Sequence, residues 1–274
     1  TSAPKITKIA PTKGGKGTKM VIIGEDFVLP DDTVPYNDPK RKGSVVLLNG
    51  YELNAYKYNE YGDITSNTTN SIYYEDLYDP DGSGPLPAAY LDGHMVKVQD
   101  IRTIYVDIPD RFYSFLAGTP PYLRSSPELQ PGQLKVEVLN PDGARSKENF
   151  VFNYLTPSTQ PVITKIDPNE GSTDGGAVVT IIGSDFREHN LEVYFGSEKS
   201  QRIEFVNSTM IRVLVPRYPY ELPDADFIKV PVTVLNHDGG VAVSYDESEE
   251  DGFIYRKPGS HPIIESIEPK TGSA

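Results

Sequence analysis

The sequence predicts an all-β protein made of two tandem β-sandwich domains, and three observations predict this fold class. Apolar and polar residues alternate in "QLKVEVLN" (133–140) and "KVPVTVLN" (229–236), which is the period of a half-buried strand. The 23 glycines and 24 prolines divide the chain into short segments, and none shows a sustained helical period. The same phrases also recur along the chain, in units of about 100 residues, a size typical of β-sandwiches.

The first domain is predicted at 1–156. It opens with "PKITKIAPTKGGKGTKMVIIGEDF" (4–27), and its last two strands flank "NPDG" (140–143). Asn, Asp and Gly tolerate the positive φ angles of tight hairpin turns, so this stretch is predicted to be a turn. The strand candidates of this domain are 20–23, 44–48, 103–108, 133–139 and 149–154.

The second domain is predicted at 158–258, where the opening phrase returns as "PVITKIDPNEGSTDGGAVVTIIGSDF" (161–186). Its end also repeats the first unit: "MIRVLVP" (210–216) matches "TIYVDIP", and "VTVLNHDGG" (232–240) matches "VEVLNPDGA". The strand candidates here are 178–183, 191–195, 202–206, 210–215, 229–235 and 252–256.

The two units differ in length although both ends match, so the extra residues of the first unit form insertions. The larger insertion is placed at about 51–100 and a smaller one at about 28–43. The linkers 156–161 and 257–262 are rich in Pro, Ser and Thr, a composition typical of hinges between modules. Residues 259–274 are expected to be a linker and the first strand of a third repeat, so that the parent protein continues beyond this sequence.

The phrase "PxITxIxPxxGxxxGGxxVTIxGxDF", followed by "VYFG", "MIRVLVP" and "VPVTVLNHDGG", closely resembles the IPT/TIG family. These are immunoglobulin-like domains found in plexins, some transcription factors and many bacterial surface proteins. The resemblance covers most of 161–257 and both ends of 1–156. It implies an immunoglobulin-like sandwich in each unit, with the Pro-rich start as the first strand and the Gly-Asp-Phe segment at the end of the second.

Composition narrows the class of partner and the compartment. The 26 Lys and Arg residues against 39 Asp and Glu give a net charge of −13, which repels a phosphate backbone, so no nucleic-acid partner is expected. The apolar runs are far shorter than a membrane helix requires. The chain has no cysteine, whereas animal extracellular domains of this size usually carry disulfides. These observations favour a bacterial protein located at the cell surface or outside the cell.

The sequence contains no catalytic signature. The four histidines are not spaced as metal ligands, and there is no G-x-S-x-G, G-x-G-x-x-G or phosphate-loop motif. The chain is therefore predicted not to be an enzyme; a hydrolase activity within the larger insertion is the weakest of three functional hypotheses.

A ligand-binding surface is predicted in the larger insertion because tyrosines are concentrated there. A tyrosine ring can stack on a sugar or a protein surface while its hydroxyl forms a hydrogen bond. The alternative is that these rings pack the insertion onto the sandwich. The predicted contact residues are Tyr56, Tyr58, Tyr61, Tyr73, Tyr74 and Tyr78.

A calcium site is the second candidate in the insertion. Asp79, Asp81 and Ser83 alternate around a turn at Gly82, as oxygen ligands do in calcium loops. No glutamate follows at the EF-hand distance, so a plain acidic turn is the alternative interpretation. No other cofactor is expected.

The repeat architecture favours a non-catalytic structural or interaction segment of a bacterial cell-surface or secreted protein, acting as a stalk, adhesin or assembly module. The alternative is a carbohydrate-binding accessory region of an exported polysaccharide-degrading enzyme or glycan-uptake complex. The expected partners are a cell-surface protein or polysaccharide and further IPT/TIG repeats of the same chain.

Overall fold

The computed structural model describes residues 2–29, 43–53, 96–110, 113–115, 123–125, 128–222, 226–244 and 251–259. Within these ranges the chain forms strands and turns and no helix. The predicted all-β class, with two tandem immunoglobulin-like sandwiches, is confirmed. Most of both predicted insertions and almost all of 259–274 lie outside the described residues.

The first sandwich, called domain one below, contains eleven described strands. Four of them form one sheet in the order β1-β3-β7-β6, and five form the facing sheet in the order β2-β11-β10-β4-β5. A separate hairpin pairs β8 with β9. The bounds are β1 Lys5–Ala10, β2 Lys13–Gly14, β3 Lys19–Glu25, β4 Val45–Leu48, β5 Tyr51–Leu53, β6 Val96–Asp100, β7 Thr103–Asp107, β8 Tyr113–Phe115, β9 Leu123–Ser125, β10 Gly132–Leu139 and β11 Phe150–Tyr154.

The second sandwich, domain two, has the same strand order. One sheet is β12-β14-β18-β17, and the facing sheet is formed by β13-β22-β19 together with β16-β15-β20-β21. The strand that is continuous as β10 in domain one is divided here at Pro231, because proline has no N–H to donate to a neighbouring strand. The bounds are β12 Val162–Asp167, β13 Glu170–Ser172, β14 Val178–Ser184, β15 Glu192–Phe195, β16 Glu198–Lys199, β17 Ile203–Asn207, β18 Met210–Leu214, β19 Phe227–Val230, β20 Val232–Leu235, β21 Val241–Ser244 and β22 Phe253–Arg256.

Each sandwich has its own apolar core between its two sheets. The predicted inward-facing residues of β10 are buried, since Leu134, Val136 and Val138 are at most 5% exposed. The corresponding side chains of domain two, Val230 and Val232, are also buried. The alternation in the two repeated phrases therefore marks the core face, as predicted.

The repeated Gly-x-Asp-Phe phrase is a packing motif that closes one end of each sandwich. A Cβ at Gly24 would lie 2.1 Å from the Lys5 carbonyl oxygen and 2.4 Å from the Phe27 ring, and a Cβ at Gly183 would lie 1.8 Å from the Val162 carbonyl oxygen. Only glycine permits this approach to the first strand of the domain. The Phe27 ring is in turn buried under this end of the core.

The predicted hairpin turns "NPDG" and "NHDG" begin with a buried asparagine that links two loops. Asn140 Nδ2 donates to the Asp26 carbonyl oxygen over 2.9 Å, and Asn236 Nδ2 donates to the Asp185 carbonyl oxygen over the same distance. Asp26 and Asp185 have φ angles of 61° and 56°. The asparagines thus fasten each turn to the loop that follows the Gly-x-Asp-Phe phrase.

Both ends of the predicted 51–100 insertion belong to the sandwich. Leu53 in β5 and Val96 and Val98 in β6 lie in the core of domain one. Residues 54–95 therefore separate β5 from β6, whereas only 200–202 separate the corresponding strands β16 and β17. The β8–β9 hairpin, which was not predicted from the sequence, lengthens a second connection of domain one.

Candidate functional site

The residues predicted to bind a ligand lie outside the described part of the chain. This holds for the six tyrosines Tyr56, Tyr58, Tyr61, Tyr73, Tyr74 and Tyr78 and for the calcium candidates Asp79, Asp81 and Ser83. Among the described residues, no group of three or more His, Cys, Asp or Glu side chains is arranged to hold a metal ion. The described residues also contain no helix with the length and hydropathy of a membrane-crossing segment.

A cluster of polar and aromatic side chains lies at the junction of the two domains. The outward-facing side chains of β3 and β7 in domain one, Val21, Ile23 and Tyr105, form a buried cluster against Tyr220 of domain two. Their exposures are 2%, 7% and 3%. An outward face of a sandwich is normally solvated, so domain two must cover this face.

A second apolar contact lies beside the first. Ala10 of domain one packs with Tyr194 and Leu235 of domain two, and all three residues are less than 9% exposed. Burial on the outer face explains why β20 is buried along its whole length, although its sequence predicts a half-buried strand.

Two glutamates of domain two bind lysines of domain one at the edge of these contacts. Glu198 Oε1 lies 2.6 Å from Lys8 Nζ, and Glu192 Oε1 lies 3.0 Å from Lys13 Nζ. The carboxylates are also hydrogen-bonded by tyrosines: Tyr220 donates to Glu198 over 3.0 Å, and Tyr194 donates to Glu192 over 2.6 Å.

These contacts shift the pKa values of Glu192, Tyr194 and Tyr220. Burial alone would raise the pKa of Glu192, but hydrogen bonds from Tyr194, Lys13 and Lys199 hold it below its usual value. Burial, with the adjacent Glu192 carboxylate, raises the pKa of Tyr194 far above its usual value. Burial is also the main cause that raises the pKa of Tyr220 to about 12. Both tyrosines therefore remain protonated donors at neutral pH.

The interdomain linker, predicted to be a hinge, is held by Asp238 of domain two. Its carboxylate accepts hydrogen bonds from the backbone N–H and the hydroxyl of Ser158 and of Thr159, over 2.7 to 3.2 Å. The Gly15 N–H of domain one also donates to the Gly239 carbonyl oxygen over 3.0 Å. The Ser and Thr residues of this linker are thus hydrogen-bond donors to a carboxylate in this structure.

The hydrogen bonds to the Asp238 carboxylate stabilise its ionised form. Burial alone would raise its pKa, but the hydrogen bonds from Thr159, Gly240 and Ser158 lower it well below the usual value for aspartate. A carboxylate that accepts several N–H and O–H bonds strongly favours its charged form.

An open cleft of about 250 Å³ lies between the two domains. Residues 100–103 of domain one, in the turn between β6 and β7, form one side with Ile23, and Tyr218 and 220–222 of domain two form the other. A wider cleft of about 690 Å³, lined by domain two alone, lies beside the same 218–222 segment. Of these two clefts, the smaller one, called the junction cleft below, is the one to which both domains contribute.

The junction was not predicted from the sequence, although the sequence contains one signal for it. Strand β3 is apolar on both faces in "MVII" (20–23). Its counterpart in domain two, β14, has Thr180 between apolar residues in "VVTII" (178–182). Both faces of β3 are buried, while the outward residues of β14 are partly exposed. A strand that is apolar on both faces indicates a second covering layer.

Comparison with known proteins supports the family resemblance in domain two. Residues 161–247 match the family model described as "IPT/TIG domain", so the predicted family is confirmed for this segment. No curated protein matches the sequence.

The chain is also similar to several solved structures, at low sequence identity and low TM-score. The plexin A4 extracellular region is 17% identical, with a TM-score of 0.27; the match covers 92% of this chain and 18% of that one. SGBP-B from a complex xyloglucan utilization locus in Bacteroides uniformis is 16% identical, with a TM-score of 0.25, over 92% of this chain and 49% of that one. Bacteroides ovatus SGBP-B in complex with a mixed-linkage heptasaccharide is 11% identical, with a TM-score of 0.24, over 92% and 44%. The chain thus spans less than half the length of each.

Proposed function

We propose that this chain is a non-catalytic structural and interaction segment of a bacterial cell-surface or secreted protein. In this role it joins two immunoglobulin-like modules into one rigid unit and so fixes the spacing and direction of whatever lies on either side. The observation that carries the proposal is the junction, where the linker is held by Asp238 and domain two covers an apolar face of domain one.

The junction has the properties that rigidity requires. Modules joined only by an exposed linker reorient freely, whereas a large apolar interface opposes that motion. Here apolar side chains from both domains are buried together. Lys8 and Lys13 pair with the Glu198 and Glu192 carboxylates, which also accept hydrogen bonds from the Tyr220 and Tyr194 hydroxyls. Separating the domains would expose the apolar residues and leave these polar groups without their partners.

The cellular location and the partners are part of the proposal. A cysteine-free chain with a net charge of −13 suits an exported bacterial protein that stays soluble and does not bind nucleic acid. A cell-surface protein or polysaccharide, and further IPT/TIG repeats of the same chain, are the partners that such a segment would have.

One observation favours the alternative role, a carbohydrate-binding accessory region of an exported polysaccharide-degrading enzyme or glycan-uptake complex. This is the junction cleft, where Tyr218 and Tyr220 stand opposite the polar turn 100–103. The alternative adds a ligand to the same rigid scaffold, so the two roles are compatible.

Rigidity is tested by measuring a distance between the domains. The chain has no native cysteine, so Lys147→Cys in domain one and Glu204→Cys in domain two accept spin labels without further changes. Pulsed electron paramagnetic resonance should give a single narrow distance distribution. The double substitution Tyr194→Ala and Tyr220→Ala should broaden it, while Val178→Ala, at a position 59% exposed, should not. A broad distribution in the protein with the native junction would overturn the proposal.

A further inference from the structure

We propose that the junction cleft binds a short segment of a neutral polysaccharide. The rings of Tyr218 and Tyr220 form the apolar wall of the site, and Asp100, Arg102 and Glu221 bind sugar hydroxyls. This inference rests on the alternative role proposed above and names its ligand class and its site; a rigid segment without a ligand would fail this test and still pass the distance measurement.

The aromatic wall is held in place before any ligand arrives. The Tyr218 ring lies 5.3 Å from the Tyr255 ring and 5.4 Å from the Tyr220 ring, measured between centroids. The Tyr220 hydroxyl donates to Glu198 and lies 3.1 Å from the Ser197 hydroxyl. Both tyrosines nevertheless remain partly exposed. Fixed aromatic rings bind an apolar sugar face with little loss of conformational entropy.

The polar side of the cleft offers groups that are free to bind. Within the described part of the chain, neither the Arg102 guanidinium nor the Glu221 carboxylate has a hydrogen-bond or ion-pair partner. Asp100 Oδ1 accepts the Arg102 backbone N–H over 2.7 Å. Carboxylates accept and a guanidinium donates, and each sugar hydroxyl both donates and accepts, so these three side chains match a polyol.

Charge and size narrow the ligand class. Two carboxylates against one guanidinium, in a chain with a net charge of −13, disfavour an anionic polysaccharide. The cleft volume of about 250 Å³ is just below the range typical of small-molecule pockets, so the cleft accommodates only a short stretch of a polymer. The cleft is open and not enclosed, as a site for part of a long polymer must be.

Both domains are needed for the site. Burial is the main cause that raises the pKa of Tyr218, and the Asp100 carboxylate of domain one contributes to the same shift. Both groups line the cleft, one from each domain, so their separation is fixed only while the junction is intact.

The test is a binding titration on the whole chain. Hexasaccharides of cellulose, amylose, xylan, laminarin and mannan would be titrated into isotope-labelled protein while backbone amide resonances are recorded. We expect at least one of them to give saturable shifts at 100–103 and 218–222. The double variant Arg102→Ala and Glu221→Ala should bind it at least about tenfold more weakly, because it loses charge-assisted hydrogen bonds.

The control is the double variant Arg212→Ala and Glu204→Ala, an exposed ion pair on the outer face of domain two, which should bind as the unaltered chain does. Because Arg102 and Glu221 are exposed, the cleft variant should keep its melting temperature. Two results would each overturn the proposal: no saturable shift with any saccharide, or shifts confined to other residues. A proline-rich peptide titrated in the same way would show, in the first case, whether the cleft binds a protein segment instead.

Discussion

Single residues of the repeated phrases explain why those phrases recur. Gly24 and Gly183 each lie against a backbone carbonyl of the first strand of their domain, and Phe27 and Phe186 fill the adjoining end of the core at 3% and 1% exposure. The phrase therefore specifies one close contact that both sandwiches need, and the sequence marks it clearly because no other residue type fits.

Replacing Gly24 by alanine should destabilise domain one by about 3 kcal/mol, because the new Cβ must displace a backbone carbonyl and a buried ring. Urea unfolding followed by tyrosine fluorescence would measure the loss. Gly132→Ala is the matched control in the same domain, since the nearest atom to its Cβ is 3.9 Å away. Equal midpoints for the two variants would contradict this explanation of the phrase.

Asp238 gives the junction a dependence on pH. Its pKa is lower in the folded protein than in the unfolded chain, so the ionised form favours folding. That contribution is complete above the unfolded pKa of about 3.9 and is lost as the pH falls below it towards the folded pKa.

Asp238→Ala should therefore destabilise the protein by roughly 2 kcal/mol at pH 7, and the deficit should shrink at pH 3. Thermal unfolding of both proteins at the two pH values measures the difference. Asp174→Ala changes an exposed aspartate whose side chain does not contact the linker, and it should alter stability by less than about 0.5 kcal/mol at both pH values. A deficit that is the same at pH 3 as at pH 7 would show that the carboxylate charge is not what holds the linker.

At the scale of strands, alternation predicted the core faces well but could not predict what covers the outer faces. The inward residues of β10 and of the β19–β20 strand follow from period 2 alone. The doubly apolar "MVII" indicates that the outer face of β3 is covered, but the residues that cover Val21 and Leu235 lie far away in the sequence, and no local pattern identifies them. The junction cleft was unpredictable for the same reason, since its two sides lie more than a hundred positions apart.

The larger insertion is predicted to lie outside the sandwich core, and the strand bounds now define a sharp test. Replacing 54–95 with Ser-Gln-Arg, the sequence of 200–202 that makes the same connection in domain two, should leave a domain that unfolds cooperatively. Circular dichroism during urea titration would show this transition.

The matched comparison extends the same deletion through residue 98. It removes Val96 and Val98, which are 2% and 8% exposed in the core, and should cost about 3 kcal/mol or more. Loss of cooperative unfolding in the shorter deletion would instead place the insertion within the core, and the tyrosine-rich binding surface predicted there would lose its basis.

For the whole molecule, we expect that a substitution in the interface can part the two domains while both cores stay folded. Val21 is buried against Tyr105 and Tyr220 but is not part of the core of domain one. Val21→Asp should weaken the coupling of the domains by about 3 kcal/mol, because it buries an unpaired charge that domain separation can relieve.

X-ray scattering should then show a larger maximum dimension, and calorimetry two transitions in place of one. Thr180 holds the corresponding position in domain two, where it is only partly buried. Thr180→Asp should leave both measurements unchanged. An unchanged scattering profile for Val21→Asp would show that the outer face of β3 does not hold the domains together.

The face that domain one offers to domain two has no equivalent on domain two. Where domain one presents Val21 and Tyr105 on adjacent strands, domain two presents Thr180 paired with Arg212. Two unlike surfaces meet at the junction, one from each domain. Where every module of an assembly carries both kinds of surface, such head-to-tail contacts can extend into open filaments. In the described part of domain two, β14 and β18 do not present such an apolar surface, and that of domain one is already covered within its own chain. We therefore expect this contact to be used once, within the chain, and not to link one molecule to the next.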